Sequence, residues 1–280
     1  MRTDNQVLEQ VKNWAKFNEV VRTVILTSSR VKSDNMVDDL SDFDIELYVR
    51  DLAIFQQDDK WLDTFGPILV RWPYQPRSTS FDKKFITRLV LFEDYVRIDF
   101  QITDLTEIIP DRYDDGYFVL IDKDNLTNGL QPATFQKYIV RAPTKEEFDG
   151  CVNDFWWNAT YVPKFLCRNE FPFAKYIFDN VRYHYLYPVI EWYIGLQHDW
   201  SVNPGLHGKW FKKYLDDDIW AEFKLTYTGA NIEENWQAFF RLLELFRKLA
   251  TVVANQLDYG YPEKVDKKVS TYCYYVKNMK

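Results

Sequence analysis

The pattern of hydrophobic residues changes near the middle of the chain. Up to about residue 140, short β-branched or alternating segments such as Val20–Thr27 recur close together, which is typical of strands. Beyond residues 141–143 only helical periodicity remains. It begins at residues 144–147, Thr-Lys-Glu-Glu, which fit a capping box at a helix N-terminus. We therefore predict an α+β protein with two domains: residues 1–142 with a mixed β-sheet flanked by helices, and residues 143–280 forming an all-helical bundle.

Composition narrows the possible functions. Hydrophobic residues make up 46% of the 280 positions, which is enough for packed cores and argues against disorder. The net charge of −7 disfavours a nucleic-acid partner and suits a cationic small molecule. The N-terminus carries acids and amides where a signal peptide needs an apolar stretch, and no apolar run approaches the roughly 18 residues of a membrane span. We expect a cytoplasmic protein without a membrane partner; its oligomeric state stays open.

Three aspartates are expected to meet on one face of the sheet. Asp42 and Asp44 are two residues apart at the start of a strand, so their side chains point the same way. Asp99 is expected on the polar face of a neighbouring strand, 95–102, which forms a hairpin with 86–92. Neighbouring strands lie about 4.8 Å apart, so three carboxylates can converge if these strands are adjacent. Such a cluster repels itself unless a cation is present, and Mg²⁺ prefers hard oxygen ligands.

A polar turn precedes the first aspartate pair. Ser28, Ser29 and Arg30 follow a buried strand, where backbone N–H groups, a hydroxyl and a positive charge can meet phosphate oxygens. A carboxylate beside the metal, Asp99, can accept the proton of an attacking hydroxyl. Asp-x-Asp pairs also occur by chance on solvent faces, so the order of the turn, the pair and the later aspartate carries the prediction.

This order of residues resembles the nucleotidyltransferase superfamily that includes DNA polymerase β and the kanamycin enzymes. The superfamily pattern is Gly-Ser, a variable loop, Asp-x-Asp, and a third acid on a later strand. Over nearly its whole length the chain more specifically resembles the aminoglycoside 6-adenylyltransferases, the streptomycin-modifying group. Segments that carry this resemblance include Asp42-Phe43-Asp44-Ile45, Ile98-Asp99, Leu120-Ile121-Asp122-Lys123-Asp124, Asn153-Asp154-Phe155-Trp156 and Leu166-Cys167-Arg168.

The resemblance implies an enzyme that moves AMP from ATP to a hydroxyl of an aminoglycoside and confers antibiotic resistance, with streptomycin as the first substrate to test. The first domain would then be the nucleotidyltransferase catalytic domain. Asp42 and Asp44 would be the Mg²⁺ ligands, and Asp99 would be a third metal neighbour and the general base. The phosphates of ATP would lie against the turn formed by Ser28, Ser29 and Arg30.

The helical half would supply further contacts in a cleft between the domains. Residues implied in nucleotide binding are Lys209 and His184, and residues implied in substrate binding are Trp156, Trp157, Asp154 and Lys164. Each also has an ordinary structural explanation: tryptophan commonly fills helical cores, a lone histidine is commonly structural, and a lysine is commonly solvated. The two tryptophans are adjacent and face about 100° apart, so we expect one of them to be exposed. Pro163 and Pro188 are expected to interrupt two of the helices.

One position departs from the family pattern. Ser28 stands where the glycine is expected, and glycine alone adopts positive φ without steric cost. Two alternatives stay open. The chain can be a nucleotidyltransferase with a different acceptor, because the motif handles only the nucleotide, or a catalytically silent relative that binds nucleotide, which Ser28 would mark.

Overall fold

A computed structural model describes residues 1–31, 37–75 and 85–279 of the protein. The chain divides into two compact units, Met1–Lys137 and Tyr138–Lys280. The first unit contains both strands and helices, and the second contains helices. This confirms the predicted α+β class. Within the described residues, no helix has both the length and the apolar character needed to cross a membrane.

The first unit is built on a six-stranded mixed sheet. Its strands are β1 (Val21–Thr27), β2 (Phe43–Val49), β3 (Ile68–Trp72), β4 (Phe85–Phe92), β5 (Arg97–Asp104) and β6 (Tyr117–Asp122). Their order across the sheet is β3-β4-β5-β2-β1-β6. β2 and β5 pair in parallel and the other neighbours pair antiparallel. The predicted hairpin corresponds to β4 and β5.

One face of this sheet is apolar, because apolar and polar residues alternate along its strands and successive side chains point to opposite faces. Phe43, Ile45 and Leu47 of β2 are buried, and they share a core with Ile98 and Phe100 of β5. Two helices, α1 (Asp4–Phe17) and α2 (Leu52–Gln57), contribute apolar side chains to that core. The intervening positions therefore place their polar side chains on the opposite face of the sheet.

The second unit contains only helices among its described residues. They are α3 (Lys145–Ala159), α4 (Tyr161–Cys167), α5 (Phe171–Val181), α6 (Tyr187–Gln197), α7 (Phe211–Tyr214), α8 (Asp217–Lys224), α9 (Ile232–Gln256) and α10 (Glu263–Lys277). The predicted capping box is present: the Thr144 hydroxyl accepts from the Glu147 N–H, and the Glu147 carboxylate accepts from the Thr144 N–H. The helices enclose one hydrophobic core.

Both predicted interruptions by proline are observed. Pro163 lies in the first turn of α4, just after the chain breaks from α3 at Thr160. Pro188 is the second residue of α6 and follows a π-helical turn at Arg182–Leu186. Proline has no N–H to donate to the preceding turn of the helix. A local change in the hydrogen-bonding pattern of the helix avoids leaving the corresponding backbone carbonyl unpaired. His184 lies inside this π turn.

Candidate active site

Asp44 and Asp99 are direct partners across the central strand pair. In the parallel ladder between β2 and β5, the Cα of Asp44 is registered with the Cα of Asp99, and Asp42 lies two residues before Asp44. The prediction that Asp99 occupies the strand beside Asp44 is thus confirmed. Both carboxylates line a cavity of about 150 Å³ on the polar face of the sheet, together with Thr27, Glu46, Thr87, Leu89 and Gln101.

The electrostatics of Asp44 show that negative charge is crowded here. The pKa of Asp44 is raised to about 6, chiefly by burial; the charges of Asp99 and Asp42 also raise it, whereas the Ser28 hydroxyl and the Arg97 guanidinium lower it. Burial and the two neighbouring carboxylates together disfavour the ionised form of Asp44. A cation bound here would relieve that repulsion.

Among the described residues, Arg97 brings a positive charge to this site. Its Nε donates to Asp99 Oδ1 at 2.8 Å and its Nη2 donates to Asp99 Oδ2 at 2.7 Å. Its Nη1 also lies 3.4 Å from Asp42 Oδ2. The pKa of Arg97 is raised, chiefly by the hydrogen bonds to Asp99. No role for Arg97 was predicted from the sequence, although its place two residues before Asp99 on the same strand face was a usable signal.

The donor set suits a divalent cation, but the side chains are not arranged around one. In the part of the chain that the structure describes, no group of three or more His, Cys, Asp or Glu side chains is placed to hold a metal ion. Both oxygens of Asp99 instead accept hydrogen bonds from Arg97. The paired register of Asp44 with Asp99 and the raised pKa of Asp44 nevertheless fit a hard cation chemically.

Ser28 adopts the backbone conformation that explains the glycine of the family pattern. It begins a 3₁₀ turn at Ser28–Val31 that directly follows β1, and its φ is 67°. This is the left-handed region, where a Cβ atom is unfavourable and glycine is not penalised. The serine keeps the turn geometry, and its hydroxyl interacts with the Asp44 carboxylate. Ser29 is the second residue of the same turn.

The Ser28→Gly variant should be more stable than the wild-type protein. Removing the Cβ relieves left-handed strain, so we expect the free energy of unfolding to rise by up to about 1 kcal/mol. Ser28→Ala keeps the strain and loses the hydroxyl, so it should be less stable than either. Urea denaturation at pH 7 would measure all three proteins. A glycine variant less stable than the alanine variant would show that backbone strain at this turn is negligible.

Arg30 is engaged by protein groups, and its contact with phosphate stays a prediction. Its side chain is only 6% exposed, and it forms an ion pair with Asp4. It donates to the backbone carbonyls of Ser41 at 2.6 Å and Asp42 at 3.0 Å, and its guanidinium lies 3.7 Å from the Phe43 ring centroid. Arg30 therefore anchors the backbone that carries Asp42, and Arg97 is the arginine that meets the carboxylates.

The two adjacent tryptophans of α3 have different environments. Trp156 is fully buried in the helical core, where it packs edge-on against Phe155 and Phe246. This removes Trp156 from the predicted substrate-binding set, because a substrate cannot reach a side chain inside the core. Trp157 is 63% exposed and lies edge-on to the Tyr161 ring. The expectation that one of the pair is exposed is met by Trp157.

The other predicted residues of the helical unit are accessible to different degrees. Asp154 is exposed one turn before Asn158, whose amide donates to the Asp154 carbonyl and to the Tyr185 hydroxyl. The half-buried Lys164 places its Nζ 4.9 Å from the Tyr161 ring centroid. His184 and Lys209 are exposed, His184 in the π turn and Lys209 just before Trp210. Trp157 and Lys164 each lie beside the Tyr161 ring.

Comparison with known proteins identifies the family. Residues 1–276 match the family described as Streptomycin adenylyltransferase. The chain is 35% identical over 275 residues to an aminoglycoside 6-adenylyltransferase of Campylobacter jejuni, covering 97% of this chain and 95% of the relative. It is 31% identical over 277 residues to the Bacillus subtilis (strain 168) protein of the same name, covering 94% of each.

A solved structure supports the same assignment. The crystal structure of an aminoglycoside 6-adenyltransferase from Bacillus subtilis matches with a TM-score of 0.50 and 26% sequence identity, covering 100% of both chains. The matched family, the relatives and this structure all extend across both units of the chain. The chain is therefore a nucleotidyltransferase and belongs to the streptomycin adenylyltransferase family.

Proposed function

We propose that the protein transfers AMP from ATP to a hydroxyl of an aminoglycoside, with streptomycin as the preferred acceptor, and releases pyrophosphate. The observation that carries this proposal is the registered pair Asp44 and Asp99, with Asp42 beside it, in a chain of this family. Modification of the drug would protect the cell that makes the protein. The net charge of −7 favours the approach of a cationic acceptor, an effect that added salt weakens.

Asp42 and Asp44 would hold Mg²⁺, with Asp99 as a third neighbouring carboxylate. Bound there, Mg²⁺ would neutralise negative charge on the triphosphate during transfer. Asp42 immediately precedes β2, and Asp44 is the second residue of that strand. The Ser28 hydroxyl and the backbone of the Ser28–Val31 turn lie at the end of β1, which pairs with β2. The ATP phosphates would contact this turn through Ser28 and Ser29.

Asp99 would remove the proton from the acceptor hydroxyl. It is an acid on the strand beside Asp44, and it lines the same small cavity. A carboxylate in that position can accept a proton as the hydroxyl oxygen attacks the α-phosphorus, while the bond from that phosphorus to the pyrophosphate oxygen breaks. In this structure Asp99 is bound by Arg97, so it must exchange that partner before it can act as a base.

In the helical unit, we assign acceptor contacts to Asp154, Trp157 and Lys164, and nucleotide contacts to His184 and Lys209. Asp154 offers an exposed carboxylate to a cationic group of the acceptor, and the exposed Trp157 ring offers a face for stacking. Lys209 offers a flexible positive charge suited to a phosphate.

The first experiment measures pyrophosphate released from ATP and Mg²⁺, with streptomycin, with other aminoglycosides, and with no acceptor. We expect release that depends on streptomycin and is abolished by EDTA, and modified streptomycin heavier by one AMP in the mass spectrum. If pyrophosphate is released only with a different aminoglycoside, that drug and not streptomycin is the acceptor. ATP binding without release for any member of the panel would contradict the proposal and favour a silent relative.

A further inference from the structure

We propose that Arg97 competes with the divalent cation for the active-site carboxylates and thereby controls when Asp99 becomes available. Arg97 is then a positioning residue: it holds Asp99 in a cation-free arrangement and releases it when the metal binds. The inference rests on the metal site of the proposed function and adds to it a residue that sets the affinity of that site.

The first support is the geometry of the Arg97–Asp99 pair. The two residues are two apart on β5, so both side chains leave the same face of the strand. The guanidinium donates to both oxygens of Asp99, at 2.8 Å and 2.7 Å, in the two-pronged arrangement that matches a carboxylate. Hydrogen bonds to both oxygens orient Asp99 toward Arg97. A metal ion that takes an Asp99 oxygen as a ligand has to displace at least part of this pairing.

The second support is that the same guanidinium reaches another of the three aspartates. Arg97 Nη1 lies 3.4 Å from Asp42 Oδ2, so one positive group bridges a predicted metal ligand and the predicted base. The Arg97 side chain is 43% exposed, which leaves it room to move away when a cation arrives. The Arg97 guanidinium and a metal ion bound to the same carboxylates would lie close together and repel each other. The two therefore cannot both bind these carboxylates at full strength.

An ion pair at another carboxylate of β2 provides a control. Arg112 Nε lies 3.2 Å from Glu46 Oε2, and Glu46 follows Asp44 by two residues on β2. Glu46 also accepts a hydrogen bond from the Tyr113 hydroxyl at 2.7 Å. Arg112 therefore neutralises a nearby carboxylate that is not one of the three aspartates. Losing Arg112 removes a positive charge of the same kind without freeing Asp42 or Asp99.

The test is a titration with Mn²⁺ alone, followed by electron paramagnetic resonance, on wild type, Arg97→Gln, Arg97→Lys and Arg112→Gln. We expect Arg97→Gln to bind Mn²⁺ about tenfold more tightly than wild type, which is a typical strength of coupling between two sites. Arg97→Lys keeps the charge but loses the two-pronged hydrogen bonding, so its affinity should lie between the two. Arg112→Gln should bind Mn²⁺ within about twofold of wild type, well below that coupling. Circular dichroism melting would confirm that each variant is folded.

The outcomes separate this inference from the proposed function. Unchanged or weaker Mn²⁺ binding by folded Arg97→Gln would overturn the competition, and so would an equal gain in Arg112→Gln, because the effect would then be general electrostatics. Saturable Mn²⁺ binding to wild type that Asp44→Asn removes would leave the metal site of the proposed function standing in either case. Wild type that binds no Mn²⁺, while Arg97→Gln does, would be the strongest form of the expected result.

Discussion

Asp44→Asn should lower the rate of adenylyl transfer by about a hundred- to a thousandfold, the scale on which removing a group that stabilises transition-state charge acts. Asp44 is at the centre of the carboxylate cluster, registered with Asp99 on one side and two residues from Asp42 on the other. Asparagine keeps the shape of the side chain but loses its charge, so it binds a divalent cation poorly. Steady-state pyrophosphate release with saturating streptomycin and ATP would measure the loss.

The same variant should remain folded. Burial and two nearby carboxylates disfavour the ionised form of Asp44, so a neutral amide removes an unfavourable charge. We therefore expect a melting temperature at pH 8 no lower than that of wild type. Asp63→Asn is the matched control, because Asp63 is an exposed aspartate of the same unit outside the cluster, and its activity should equal that of wild type. Wild-type turnover by Asp44→Asn would refute the assignment of the metal ligands.

The largest expected effect on stability is at Arg88. This arginine lies on the apolar face of β4 and is 1% exposed, and its Nε donates to Asp59 Oδ1 at 2.6 Å, where Asp59 is 2% exposed. Its Nη2 also donates to the Phe55 carbonyl at 3.0 Å. Arg88→Ala leaves a buried carboxylate without this partner, although Arg71 Nη1 stays 3.2 Å from Asp59 Oδ2. We expect a loss of about 3–5 kcal/mol in the free energy of unfolding.

A double variant separates loss of the ion pair from loss of packing. Arg88→Met combined with Asp59→Leu replaces both charged groups with apolar side chains, so no charge is left buried alone. We expect the double variant to be more stable than Arg88→Ala, and urea denaturation of both proteins would measure the difference. A loss below about 1 kcal/mol in Arg88→Ala would mean that solvent or Arg71 compensates for the missing guanidinium.

Local patterns were sufficient to predict the two-part architecture and the place of the aspartates. Strand alternation has period two, so residues 42 and 44 share a face, and Asp99 was placed on the polar face of a neighbouring strand. The capping box at 144–147 marked the start of the helical unit because its hydrogen bonds join residues only three apart. The departure at Ser28 was also visible in the sequence, and its φ of 67° explains why the family pattern has glycine there.

Only the tertiary structure decided how side chains from different segments pair and which of two neighbours is buried. Arg30 and Arg97 are both arginines near the aspartates in sequence or on the sheet, but Arg30 is held by backbone carbonyls while Arg97 binds Asp99 and Asp42. Trp156 is buried and Trp157 is exposed because helix rotation separates them by about 100°, and packing against the other helices selects the inner face. Sequence spacing determines which side chains share a face, whereas distances across the fold determine which of them meet.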